Sequence, residues 1–129
     1  MTVNLVDSCG WLEYFSDGVN ADFFAPAVED TENLTVPIIC ISEVFKVLLR
    51  ECNEDIAFVA VSAMSHGKLI GIDMNLAIEA AKLGLSYHLP LADSIIYATA
   101  RMENALLWTQ DKHFEKLSGV NFTEKYRSE

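Results

Sequence analysis

Positive charge is scarce in this sequence. Nine lysines and arginines stand against nineteen aspartates and glutamates, a net charge of −10 over 129 residues. Proteins that grip nucleic acid by their surface carry a basic footprint, because neutralising phosphate drives such binding. An acidic surplus serves solubility in most proteins. Alternatively, some of the acids are gathered in one pocket where divalent cations bridge them to phosphate, and charge alone does not choose between the two. Cysteine is also scarce: Cys9, Cys40 and Cys52 are odd in number, widely spaced and set among apolar neighbours. That pattern predicts reduced, buried thiols and excludes a disulfide framework. No cysteine pair has zinc-ligand spacing, and His66, His88 and His113 are scattered. No apolar run is long enough to cross a bilayer. The opening residues 1–7 contain no basic segment followed by an apolar stretch, so no signal peptide is expected. A soluble, cytoplasmic protein with no membrane partner is the expectation. Internal repeats, low-complexity stretches and linkers are missing too, which predicts a single domain over residues 1–129.

What the chain does have is apolar sequence, 51% of its residues, broken into short pieces. Brief β-branched runs alternate with longer helical patterns, predicting an α/β fold with a parallel sheet flanked by helices on both faces. Strands are expected at Val3 to Val6, Leu34 to Val36, Leu69 to Ile72, Ala105 to Trp108 and, at an edge, Val120 to Phe122. Helices are expected through Trp11, Leu12 and Phe15; through Phe23, Phe24 and Val28; and after Pro37, with Ile41, Val44, Phe45, Leu48, Leu49 and Cys52 on one face. Further helices are expected from about Ile56 to Met64; from Leu76 to a cap at Gly84; from Leu91 through Ile95 and Ile96; and, briefly, around Phe114 and Leu117. Trp11, Phe15, Phe23 and Phe24 read as core or a partner-binding face rather than a stacking platform for bases.

Four acids stand at helix starts in this reading: Asp7, Glu43, Asp93 and Asp111. Each has an ordinary structural role available. Asp7 and Asp111 follow strands and precede helices, where aspartate caps free amides. Glu43, expected in a first turn, would complement the helix dipole. Asp93 lies among Leu91, Ile95 and Ile96 with no basic residue within a helical turn, so its burial requires a partner from elsewhere, which a metal would supply. In a parallel sheet, ligands bind beyond the carboxyl ends of the strands, so the positions also suit a site. Magnesium and manganese prefer oxygen ligands. Two such ions activate a water and stabilise the leaving oxygen of a phosphodiester. Ser8 and Thr109 offer supporting hydroxyls, or local caps and turns. His113 reads as a surface or capping residue rather than a general base.

Four segments together carry a resemblance. Val6-Asp7-Ser8-Cys9-Gly10-Trp11-Leu12-Glu13-Tyr14-Phe15 resembles the opening of PIN-domain proteins, specifically toxin ribonucleases of the VapC type. Val36-Pro37 with Ser42-Glu43-Val44, Leu91 to Ala100 around Asp93, and Thr109-Gln110-Asp111-Lys112-His113-Phe114 follow in the family's order over nearly the whole chain. The resemblance implies an α/β PIN-like domain with Asp7, Glu43, Asp93 and Asp111 as catalytic and metal-holding acids, supported by Thr109 and Ser8. It implies cleavage of RNA with Mg2+ or Mn2+, a cognate antitoxin and a homodimer. Two other readings remain open: a catalytically idle PIN domain that only binds a partner, and a receiver-type phosphoacceptor domain. The receiver has some footing in Asp73 and Thr109, but lacks adjacent acids after the first strand.

Overall fold

The computed structural model of the chain describes residues 2–125. Five strands, β1 (Val3–Val6), β2 (Leu34–Pro37), β3 (Lys68–Ile70), β4 (Ala105–Thr109) and β5 (Val120–Phe122), form one sheet in the order β3-β2-β1-β4-β5. Every pairing is parallel. Successive side chains of a strand point to opposite faces, yet Asn4, Leu5 and Val6 of β1 are all buried. Both faces of the central strand are therefore covered, as expected where crossover helices flank a parallel sheet.

Six α-helices provide the cover: α1 (Ser8–Phe15), α2 (Ala21–Val28), α3 (Ile38–Glu51), α4 (Glu54–Met64), α5 (Met74–Tyr87) and α6 (Leu91–Met102). The main core joins Leu5, Val6, Trp11, Phe24, Val36, Val44, Ile96, Tyr97, Leu107 and Phe114. Trp11 and Phe24 are buried in it, and Phe15 and Phe23 pack against it. In α6 every residue from Ser94 to Ala100 is buried, which is the environment of a helix apolar on nearly all sides. A smaller cluster of Leu76, Ala80, Ile95 and Ala98 ties α5 to α6.

The structure departs from the sequence expectation in several places. Gly84 does not end α5: the helix runs to Tyr87 and closes with His88 in the left-handed region at φ 57°. Gly84 serves a close approach instead, since a Cβ there would lie 3.1 Å from the Ser94 Cβ of α6. The α3 helix begins at Ile38, so Glu43 sits in its second turn rather than its first. Leu49 and Cys52, expected on the buried face, are exposed. Cys9 is half-buried and only Cys40 is fully buried, while all three thiols are free. The receiver alternative fails on topology, because the flavodoxin-like order of that class is 2-1-3-4-5. Asp73 is occupied as the cap of α5, accepting a hydrogen bond from the Leu76 amide at 2.9 Å. No helix among the described residues is long and apolar enough to cross a membrane.

Candidate active site

The chain leaves β1 for β2 and β3 on one side and returns to β4 and β5 on the other. The strand order thus reverses between β1 and β4, and such a switch point opens a crevice at the carboxyl ends of the strands. The β1–β4 ladder extends one residue past β1, with the Asp7 amide donating to the Trp108 carbonyl at 3.0 Å. Asp7 and Thr109 are consequently held side by side at the lip of the crevice. Gly10 lets α1 settle onto this edge, since a Cβ there would fall 2.6 Å from the Phe24 ring and 2.7 Å from Val6.

Asp7 plays both roles that its position allows. One carboxylate oxygen caps α1 by accepting from the Ser8 amide at 2.7 Å. The other accepts the Thr109 hydroxyl at 2.8 Å and lies 3.4 Å from the Cys9 thiol. The Thr109 Oγ1 also accepts from the Asp111 amide at 2.9 Å, so one fully buried hydroxyl fixes Asp7 to the segment carrying Asp111. Asp111 caps the short helix Lys112–Phe114 through the His113 amide at 2.9 Å. Glu43 joins from α3 through Ser8, whose hydroxyl donates to its Oε1 at 2.6 Å. Asp93, in the first turn of α6, completes the group. One carboxylate oxygen each of Asp93 and Asp111 and one ring nitrogen of His113 lie within 4.8 Å of one another, and Asp7 and Glu43 stand outside that tightest trio.

His113 alters the reading of Asp93. Its Nδ1 lies 2.8 Å from Asp93 Oδ2 and 2.9 Å from Asp111 Oδ1, so a base from another element supplies the partner that the local sequence lacks. The Asp111-Lys112-His113 spacing hints at the second contact. Nothing in the sequence signals the first, because Asp93 and His113 meet only through the packing of α6 beside β4.

The electrostatics are those of crowded acids. Burial, with a smaller push from the Asp111 charge, raises the Asp7 carboxyl to about 6, against the lowering effect of the Thr109 and Cys9 hydrogen bonds. Burial first, then the charges of Asp111 and Asp7, raise Asp93 to about 7. Asp111, and then Asp93, raise His113 above its ordinary value. Burial and the Asp7 charge push the Cys9 and Cys40 thiols up, keeping both protonated. Among the described residues, the ion pairs of lysine and arginine are Arg50 with Glu51, Lys68 with Glu103, and Lys112 with Glu124. None reaches Asp7, Glu43, Asp93 or Asp111. Oxygen donors that repel one another, lack a Lys or Arg partner among the described residues and draw in an imidazole fit a hard divalent cation. Beside the acids lies a cavity of about 340 Å³ lined by Cys9, Gln110, Asp111, Lys112, Glu124 and Lys125.

Comparison with known proteins agrees with this fold. The PIN domain model matches residues 5–120. The chain belongs to the PIN-domain family. A toxin–antitoxin complex from Klebsiella pneumoniae contains a similar chain, 26% identical, with a TM-score of 0.78, covering 92% of this chain and 95% of that one. A sarcin–ricin-loop-cleaving VapC toxin from Mycobacterium tuberculosis is 14% identical over 88% of this chain and 94% of its own, with a TM-score of 0.72. A DNA-bound VapBC complex from Salmonella typhimurium is also 14% identical, over 96% and 98%, at a TM-score of 0.72. A search of curated proteins by sequence found no significant match.

Proposed function

We propose that this PIN domain, a single domain over residues 1–129, is a metal-dependent endoribonuclease, the toxin of a type II toxin–antitoxin pair, acting in the cytoplasm. The observation that carries the reading is the meeting of Asp7, Asp93 and Asp111 at the β1–β4 crevice, with no lysine or arginine among the described residues paired to them. Asp7, Glu43, Asp93 and Asp111 would hold Mg2+ or Mn2+. At such a site the ion's contribution is activation of water and stabilisation of the leaving oxygen of a phosphodiester.

The protein's own part is positioning. Thr109 orients Asp7 and the Asp111 backbone, and Ser8 orients Glu43, so the Asp7 and Glu43 carboxylates are each aimed by a hydroxyl from a neighbouring element. Lys112 and Lys125 line the adjacent cavity and give the RNA backbone cationic contacts on an otherwise acidic molecule. The toxin–antitoxin complex from Klebsiella pneumoniae supports a cognate antitoxin as partner. The acids offer such a partner a target for guanidinium, whose fork of donors matches a carboxylate. We propose a homodimer as the assembled form.

The test is cleavage of a panel of structured RNAs by purified protein, with Mg2+, Mn2+ or excess EDTA and with Asp93→Asn in parallel. Cleavage is expected only with an added ion and the intact acid. Cleavage that survives EDTA, or that Asp93→Asn retains, would overturn the reading.

A further inference from the structure

We propose that His113 is a nitrogen ligand of the metal held at this site, and that it makes the site select Mn2+ over Mg2+. The inference rests on the metal-site reading above and extends it to a residue that is not an acid. Of the two imidazole nitrogens it is Nδ1 that faces both carboxylates, at 2.8 Å from Asp93 Oδ2 and 2.9 Å from Asp111 Oδ1. Adjacent donors around an octahedral ion with bonds of about 2.1 Å are separated by about 3 Å, the bond length times the square root of two. The two nitrogen–oxygen separations match edges of such an octahedron. One ligand atom from each of the three residues falls within 4.8 Å of the other two, a span that a single ion can bridge.

Position reinforces the geometry. The backbone amide of His113 is bonded to Asp111 Oδ1, so the imidazole is anchored by the acid beside which it would bind. The side chain is half exposed, which leaves the ring able to adjust by a few tenths of an ångström as an ion enters. Both ions favour oxygen ligands, but Mn2+ belongs to the first-row transition series, whose affinity for imidazole nitrogen rises from manganese onward, whereas Mg2+ lies outside it. A site of carboxylates alone discriminates little between Mg2+ and Mn2+; one nitrogen donor tilts it toward manganese.

The experiment is binding rather than activity. The metal-free full chain is titrated calorimetrically with Mn2+ and separately with Mg2+, for the wild type, His113→Ala, His113→Asn and Asp93→Asn. Nitrogen coupling to bound Mn2+ is read in parallel by pulsed electron paramagnetic resonance. Wild type is expected to show imidazole nitrogen coupling. His113→Ala is expected to lose the coupling and at least about 10-fold in Mn2+ affinity, in the range typical of altered metal surroundings, with Mg2+ affinity changed far less. His113→Asn places an amide near the Nδ1 position and is expected to restore binding without restoring the preference for Mn2+. A bound Mn2+ with no nitrogen coupling would overturn the proposal. So would His113→Ala binding Mn2+ as tightly as wild type or more tightly, the result expected if the imidazolium merely competes with the ion. In either case a loss of binding in Asp93→Asn would leave the metal-site reading standing. Absence of any binding by the wild type would overturn both.

Discussion

Asp7 is 4% exposed and carries a carboxyl raised from 3.8 to about 6, and that pair of facts sets its effect on stability. Between those values the folded protein holds a proton that the unfolded chain has released, so stability falls as pH rises through this window. The fall is complete above about pH 6. Two pKa units correspond to a cost on the order of 3 kcal/mol at neutral pH in metal-free protein. Asp7→Asn removes the charge while its amide oxygen still caps α1, since asparagine caps about as well as aspartate. Metal-free Asp7→Asn is therefore expected to be more stable than wild type by about 1–3 kcal/mol at pH 7.5, with the gap closing toward pH 4. Urea melts across that range measure it. The same variant is expected to lose RNA cleavage and most of the manganese-induced rise in melting temperature. Thr109→Val tests the next residue outward. Loss of its hydroxyl removes a bond that lowers the Asp7 carboxyl, so the Asp7 titration followed by carbon-13 NMR should move above 6. Cleavage should drop by about 10–100-fold, the usual cost of an orienting partner.

At the scale of elements, the site depends on how α1 is seated. Its first turn approaches β1 and α2 so closely that only glycine fits at position 10. Gly10→Ala forces a methyl group against Phe24 and Val6, an overpacking expected to cost about 1–3 kcal/mol in a thermal or urea melt. Gly10→Ala combined with Phe24→Leu should recover part of that loss, because the smaller side chain vacates the volume the methyl group needs. An uncombined Gly10→Ala that melts like wild type would show that α1 is free to shift. Legibility differed among the elements for physical reasons. The five strands and the starts of α1 and α6 follow from local periodicity and capping, which are properties of adjacent residues. The end of α5 does not, because Gly84 has a strong intrinsic tendency to stop a helix. Here the close Ser94 contact leaves little room for a side chain, and His88 takes the left-handed position four residues later.

For the whole molecule, charge is the dominant quantity. With a net charge of −10, long-range attraction for RNA is weak, and on the proposed function binding would lean on the few cations beside the site and on the proposed metal. If Lys112 and Lys125 make the main phosphate contacts, the slope of log affinity against log salt should be shallow. For single-stranded RNA it is about −0.7 per phosphate neutralised, or about −1.4 in all. Fluorescence titrations of the cleavage-deficient Asp7→Asn variant with labelled RNA, over a range of salt concentrations, provide the measurement. A slope steeper than about −4 would require a basic surface beyond these two residues. Light scattering is expected to give a mass near twice 14.4 kDa for the proposed homodimer.

By itself the sequence determined the class of fold, the order of its elements and the identity of the candidate acids, since strand and helix periodicity, capping and short motifs are written in neighbouring residues. It also determined that each acid had a capping or dipole role available, and the structure keeps three of those roles, with Asp7 and Asp111 each capping a helix and Asp93 in the first turn of α6. The tertiary structure decided which acids meet. The reversal of strand order between β1 and β4 brings Asp7 beside Thr109, across 102 positions of chain. The packing of α6 brings Asp93 to His113, and the approach of α3 to α1 brings Glu43 to Ser8. These contacts arise where distant segments share one crevice, and no local pattern encodes them. A carboxylate or an imidazole looks the same in the sequence whether it faces water or a neighbouring charge.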